Sequence, residues 1–217
     1  MHDQPLAVSA LTPLAGALRA EGGLDDRGPG LAPDYGFEFS AMGTVCRLRL
    51  CADSPQAATQ AAERAVAEVR RLEIKYSRYR ADSIVSRINA AAGTGQRVEV
   101  DAETAALLNF AAQLHAHSEG LFDITSGVLR RVWDFGSGRL PTDDAVRALL
   151  PLVGWHRVHW DGQAIALPQA GMELDFGGFG KEYAADCAAT ALKSVGVYGG
   201  TINLGGDVRI VGPHPDG

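Results

Sequence analysis

Asp175 and Lys181 bracket a run of glycines in the segment Leu174-Asp175-Phe176-Gly177-Gly178-Phe179-Gly180-Lys181. Glycine lets the backbone approach a ligand closely and reach unusual φ angles. The run joins a predicted strand, Met172 to Phe176, to a predicted helix, Lys181 to Lys193. A helix N-terminus offers unpaired N–H groups to an anion. Asp175 at the strand end suits a metal ion or a ribose hydroxyl, and Lys181 suits a phosphate. The same residues are equally compatible with a tight strand-to-helix turn beside a surface lysine. Two familiar phosphate loops are excluded. A Walker A loop needs glycine where Asp175 stands and Ser or Thr where Glu182 stands, and a dinucleotide fingerprint starting at Gly178 fails at Tyr183.

Two further segments carry chemistry-bearing residues. In Asn203-Leu204-Gly205-Gly206-Asp207 a glycine pair interrupts a predicted strand and a carboxylate follows it. That pattern reads as a bulge or as a close approach of the backbone to a neighbour. In Leu121-Phe122-Asp123-Ile124-Thr125, Asp123 precedes a predicted helical turn, which suits a cap, or a ligand contact made from the same turn. The histidine pairs are weaker. His115 and His117 are two apart on a predicted helix and point to different faces, and His156 and His159 have no evident third ligand. Trp133, Trp155 and Trp160 read as core or hairpin packing. Cys46, Cys51 and Cys187 form no C-x-x-C pair, so they read as small buried residues and not as a zinc site or a disulfide framework.

The elements that must position these residues follow from periodicity. Ordered structure is expected from Phe37, after a flexible arm over residues 1–36 whose stretch Glu21 to Gly36 is rich in Gly, Asp and Pro. Thr44 to Cys51 alternates, with Cys46, Leu48 and Leu50 on one side and Arg47 and Arg49 on the other, as a half-buried strand does. Ser54-Pro55 opens a helix that runs to about Lys75. Ser83 to Asn89 is a short helix, and Asp101 caps a long one closing near Gly120. Thr125 to Val132 forms a helical turn or two, and Thr142 begins a helix ending near Leu152. Val158 to Leu167, with Asp161-Gly162 at its middle, is a predicted hairpin, and Thr201 to Val211 is a strand broken at the glycine pair. No regular βαβ rhythm is present, so the class is α+β with mainly antiparallel strands.

The 217 residues suit one large domain, and 46% hydrophobic with 21% charged residues is the balance of a globular chain. The net charge of -6 argues against nucleic-acid binding. An acidic chain still binds a dinucleotide when backbone N–H groups or a metal supply positive potential. Leu6 to Leu18 is too short to span a membrane. It follows Asp3, lacks a basic flank and contains Pro13, so it does not read as a secretory signal; on that basis the chain is expected in the cytoplasm. The sequence stops in Gly212-Pro213-His214-Pro215-Asp216-Gly217, a turn after a strand, and the expectation is a fragment of a longer domain.

Taken in order, the segments resemble the FAD:protein FMN transferase family, also called ApbE. The resemblance covers about Phe39 to Gly212. It rests on Ala41-Met42-Gly43-Thr44, on Ser77-Arg78-Tyr79 with Asp82-Ser83 and Ser86-Arg87-Ile88-Asn89, and on Phe122-Asp123-Ile124-Thr125-Ser126-Gly127 with Trp133-Asp134-Phe135-Gly136. The glycine run ending in Lys181 and the segment Asn203 to Asp207 complete it. It implies a T-fold-like α+β domain over residues 37–217. It also implies Mg²⁺-dependent transfer of FMN from FAD to a threonine of an acceptor flavoprotein, with AMP released. On that resemblance Met42, Tyr79, Phe122, Asp123, Asp175, Gly178, Lys181, Asn203, Gly205, Gly206 and Asp207 contact FAD. Asp175 and Lys181 serve the chemistry, and the Gly180 carbonyl ligates Mg²⁺. Family members are commonly periplasmic or membrane-anchored. The chain departs from the pattern at Glu182, where the family often has Gly, and it ends before the family's C-terminal Asp and Thr metal ligands. Two alternatives stay open: an FAD pyrophosphatase, in which water replaces the threonine, and a non-catalytic flavin-binding domain.

Overall fold

The computed structural model describes residues 19–21, 33–134 and 137–212. In chain order the elements are strands β1 (Arg19–Glu21), β2 (Asp34–Ala41) and β3 (Thr44–Cys51), then helices α1 (Pro55–Tyr76) and α2 (Ile84–Ala90). Strand β4 (Val98–Glu99), helix α3 (Ala102–His117), a 3-10 helix over Ile124–Arg131 and helix α4 (Asp143–Leu149) follow. After short 3-10 turns at Leu150–Leu152 and Trp155–Arg157 come strands β5 (His159–Trp160) and β6 (Ala164–Ala166), helix α5 (Gly180–Ser194) and strands β7 (Gly200–Leu204) and β8 (Asp207–Val211). Every strand pairing is antiparallel. The α+β expectation therefore holds. The chain divides into two compact units at Val66 and Cys187.

The first unit is built on a five-stranded sheet of order β1-β2-β3-β7-β8. The alternation read from the sequence is the observed one: Cys46, Leu48 and Leu50 are buried, and the arginines between them are exposed. Strand β2 begins at Asp34, ahead of the expected Phe37. Asp34 is itself buried, and its carboxylate accepts hydrogen bonds from Arg49 Nε at 3.0 Å and Nη2 at 2.6 Å. Arg19–Glu21 also lies within the expected arm and pairs with Gly36 to Glu38; residues 1–18 and 22–32 lie outside the described residues. Ser54 caps α1 as expected, its hydroxyl accepting from the Ala57 N–H at 3.2 Å.

The glycine pair 205–206 is not a bulge inside one strand. It is the two-residue turn between β7 and β8, with Leu204 opposite Asp207. Both glycines have positive φ, +70° and +111°, which hairpin turns that match the strand twist require. Met42 (φ 52°) and Gly43 (φ 73°) make the corresponding turn between β2 and β3. Because Cys46 pairs with Leu204, the two turns lie at the same end of the sheet.

The second unit holds a hydrophobic core in which Val85, Ile88, Leu107, Leu108, Ile124, Ile165, Met172, Leu174, Phe176 and Phe179 are buried together. Its helices start where the side chains predicted. The Ser83 hydroxyl accepts from Ser86 N at 3.0 Å, and Asp101 Oδ1 accepts from Thr104 N at 2.9 Å. The hairpin β5–β6 turns at Asp161-Gly162, as expected, and extends its small sheet through β4.

One expected element differs. Met172, Leu174 and Phe176 are buried, but the segment joins no strand ladder among the described residues. Its hydrogen bonds go elsewhere: Asn89 takes the Leu174 N–H at 2.7 Å and donates to the Leu174 carbonyl at 3.0 Å, while the Asp175 N–H donates to the Ile124 carbonyl at 2.9 Å. A side-chain amide here satisfies backbone groups that a partner strand would otherwise have to pair.

Candidate functional site

A cavity of about 300 Å³ opens in the second unit, lined by Arg78, Phe122, Asp123, Ser126, Gly127, Arg130, Trp133, Asp175 and Gly178 among others. Three separate chain segments meet there: the start of the stretch after α1, the turn into the 3-10 helix 124–131 with that helix, and the glycine run before α5. Glycine is required at the contacts. A Cβ on Gly127 would stand 2.6 Å from the Asp175 Cβ, and one on Gly178 would stand 2.9 Å from the Phe122 ring. Phe122 is in turn held against Phe179, with ring centroids 6.1 Å apart, and Phe179 against Phe176 and Phe110.

The charged residues of the wall differ in what they have left to offer. The Asp123 side chain is only 8% exposed. Its Oδ1 accepts from the Thr125 N–H at 2.8 Å and the Thr125 hydroxyl at 2.6 Å, and its Oδ2 accepts from the Trp155 N–H at 2.8 Å. The Thr125 oxygen accepts from the Gly154 N–H at 2.7 Å. Asp123 is thus the cap foreseen in the sequence, and its carboxylate knits the cavity wall to the 154–155 turn. A buried carboxylate with this many donors is firmly held.

Asp175 is more open, with 22% of its side chain exposed. Its Oδ1 accepts from the Gly177 N–H at 3.0 Å, and its Oδ2 is ion-paired with Arg78 Nη1. Arg78 also donates from Nη2 to the Tyr79 hydroxyl at 2.8 Å, with its guanidinium carbon 4.9 Å from the Tyr79 ring centroid. Its Nε is buried without a partner among the described residues. Burial opposes the Arg78 charge, but the Tyr79 hydroxyl and the Asp175 carboxylate outweigh it and keep the guanidinium above its ordinary pKa. Arg130 is bound to Glu173 at 3.0 Å.

Among the sequence-derived site residues, the structure brings Phe122, Asp123, Asp175 and Gly178 to one cavity. Tyr79 stands beside it through Arg78, with its ring 77% exposed. Gly180 and Lys181 open α5 and are not among the lining residues. The glycine run offers fewer donors than its sequence suggests: Gly177 donates to Asp175, Phe179 and Gly180 to the Phe176 carbonyl, and Tyr183 to Phe179. In the first unit, Met42, Asn203, Gly205, Gly206 and Asp207 gather at the hairpin end of the sheet. There the Asn203 Oδ1 accepts from the Gly206 N–H at 2.8 Å, and a Cβ on Gly205 would meet Thr44 at 2.6 Å.

Sequence reasoning missed Arg78, Trp133, Gly127 and Arg130 as wall residues. Arg78, Gly127 and Trp133 sit inside quoted motifs, yet nothing in the local spacing says that Arg78 reaches Asp175, 97 positions away. Magnesium requires several oxygen ligands in a near-octahedral array. Around the glycine run the described residues offer Asp175, already paired with Arg78, and the Gly180 carbonyl. In the other clustered group among the described residues, Glu68, Glu103 and Cys187, the two glutamates are bridged by Arg71. The described residues therefore do not by themselves fit a magnesium ion.

Known proteins place these features in a family. Residues 42–217 match the model described as the ApbE family. The chain is 30% identical over 189 residues to an FAD:protein FMN transferase of Treponema pallidum, covering 82% of this chain and 52% of that protein. It is 25% identical over 221 residues to one of Vibrio cholerae, covering all of this chain and 63% of that protein. The chain thus spans about half to two thirds of the length of these relatives. Among solved structures, the apbe protein of Thermotoga maritima superposes with a TM-score of 0.72 at 28% identity, over 83% of this chain and 59% of that one. The flavinyl transferase ApbE of Pseudomonas stutzeri gives 0.72 at 28% identity, over 86% and 64%.

Proposed function

The chain belongs to the ApbE family, and from that premise we propose that it serves the transfer of FMN from FAD to a threonine of an acceptor flavoprotein, with release of AMP. The observation that carries the proposal is the meeting of Phe122, Asp123, Asp175 and Gly178 around one cavity. These residues come from two segments far apart in sequence, each part of the ordered motif set, and a shared wall is what a common ligand demands.

The reaction breaks one phosphoanhydride bond and makes one phosphoester. The threonine hydroxyl attacks the phosphorus on the FMN side, its proton leaves, and AMP departs with the bridging oxygen. Such a transfer relies on positioning and charge stabilisation. In this reading Phe122 and the exposed Tyr79 ring offer apolar faces to the dinucleotide. Gly178 lets it approach the backbone. Asp175 orients the turn into α5, and Lys181 in the first turn of that helix offers a cation to phosphate. Met42, Asn203, Gly205, Gly206 and Asp207, which the family resemblance also assigns to FAD, belong to the hairpin turns of the first unit. Magnesium dependence is part of the family reading. The described residues do not by themselves supply a ligand set for the ion.

The test is incubation of the purified chain with FAD, Mg²⁺ and a candidate acceptor, followed by denaturing gel electrophoresis and fluorescence of acid-stable flavin. Labelled acceptor together with stoichiometric AMP supports the proposal. FMN and AMP released without acceptor label would identify a pyrophosphatase instead. FAD bound but left intact, with every acceptor tried, would reduce the chain to a flavin-binding domain.

A further inference from the structure

The cavity wall carries a carboxylate, Asp175, at the place where the preceding reading puts an anionic dinucleotide. An unpaired carboxylate there repels phosphate through a partly desolvated medium, where Coulomb interactions are several times stronger than in water. Arg78 removes that problem. Its guanidinium pairs with Asp175 Oδ2, its other terminal nitrogen donates to the Tyr79 hydroxyl at 2.8 Å, and its central carbon lies over the Tyr79 ring, 4.9 Å from the centroid. The Arg78 backbone is fixed as well, because its carbonyl accepts from the Ser86 hydroxyl at 3.2 Å. Gly127 lets Asp175 come to this position at all, since a Cβ there would collide with it.

Building on the flavin-transferase reading, we infer that Arg78 is a positioning residue that neutralises Asp175 and aligns the Tyr79 ring, so that the cavity accepts a pyrophosphate-bearing ligand. It acts through two neighbours. Asp175, held on one oxygen by Arg78, uses the other to fix the Gly177 N–H and with it the glycine run entering α5. Tyr79, 77% exposed, would sample many rotamers without the Arg78 hydrogen bond and stacking contact. The arginine is suited to this task because a planar guanidinium pairs with a carboxylate and stacks on an aromatic face at the same time, which a lysine ammonium cannot reproduce.

The experiment measures FAD affinity by fluorescence titration for the parent chain, Arg78→Gln, Arg78→Lys and the double variant Arg78→Gln/Asp175→Asn, at low and at high ionic strength. Circular dichroism and thermal melting confirm that each is folded. The inference predicts that Arg78→Gln weakens FAD binding by roughly tenfold to hundredfold at low salt. It predicts a smaller loss at high salt, where part of the repulsion is screened. Arg78→Lys falls between, since it keeps the charge and loses the stacking. The double variant recovers most of the lost affinity, because the carboxylate that Arg78 neutralises is gone. Affinity unchanged in Arg78→Gln would overturn the inference while leaving the flavin reading intact. A salt-independent loss that the double variant fails to restore would overturn it too, by showing a scaffolding role. A folded parent that does not bind FAD would overturn the flavin reading and this inference together.

Discussion

The two glycine turns of this chain look alike in sequence and are built for different reasons. Gly205-Gly206 in the first unit is a hairpin turn, and its glycines answer a backbone demand: both have positive φ. Gly177-Gly178 in the second unit has no positive φ among its glycines. There the demand comes from side chains, since Gly178 must leave room for the Phe122 ring and Gly177 lies against the Asp175 carboxylate. A turn fixed by backbone strain holds its shape whatever surrounds it. A turn fixed by close packing depends on its neighbours, and those neighbours here are the lining of a cavity.

The contrast is broken most severely through Asp123, which caps the 3-10 helix after Phe122 and ties the cavity wall to the 154–155 turn. Asp123→Ala leaves the Thr125 and Trp155 N–H groups without their acceptor in a buried setting, and should destabilise the fold by about 3 kcal/mol. Thermal unfolding with circular dichroism checks this, and a melting temperature within a degree of the parent would remove the knitting role assigned to Asp123.

Gly127→Ala comes next. Its methyl group would sit 2.6 Å from the Asp175 Cβ, so the wall must move, at a cost of about 2 kcal/mol. A displaced Asp175 should also lower FAD affinity, so the variant is expected to lose both stability and binding. Gly205→Ala sharpens the comparison from the other side. Strain at φ +70° and contact with Thr44 should cost about 1–2 kcal/mol. The expected melting shift is close to that of Gly127→Ala.

The mildest effect is electrostatic. Glu103 accepts from Arg71, Lys75 and the Tyr183 hydroxyl. The Arg71 hydrogen bonds are the largest cause holding its carboxyl at about 2, below the ordinary 4.5, against the opposing effect of burial. A carboxylate whose folded pKa is depressed stabilises the fold fully above its unfolded value and loses that contribution as pH falls. Stability from this network should therefore decline between about pH 4.5 and pH 2, and Glu103→Gln should flatten the decline. A melting profile against pH for both proteins checks the sign.

Much of the fold was legible because its signals are local. The alternation of Cys46, Leu48 and Leu50, the caps at Ser54, Ser83 and Asp101, and the Asp161-Gly162 turn are each decided within a few residues. The segment Met172 to Phe176 has the pattern of a strand but joins no ladder, because the side chain of Asn89 takes the place of a partner strand, a long-range substitution that no periodicity reports. In sequence the glycine pair 205–206 is compatible with a bulge or with a close approach of the backbone; the positive φ of both glycines makes it a hairpin turn, and Gly205 lies close against Thr44. The candidate site was legible as motifs but not as a wall. Phe122, Asp123, Asp175 and Gly178 could be named from order and type, whereas Arg78 and Gly127 act by reaching across the fold to Asp175. Such contacts are settled by packing.

The central claim is that the cavity walled by Phe122, Asp175 and Gly178 receives FAD. Its most direct test is a titration of FAD into the parent chain and into Gly178→Leu, which fills the cavity at its glycine wall, with both proteins confirmed folded. The account predicts saturable FAD binding by the parent and loss of at least tenfold in affinity for Gly178→Leu, on the order expected when a close-packed site is overfilled. Equal affinity in the two proteins would contradict it.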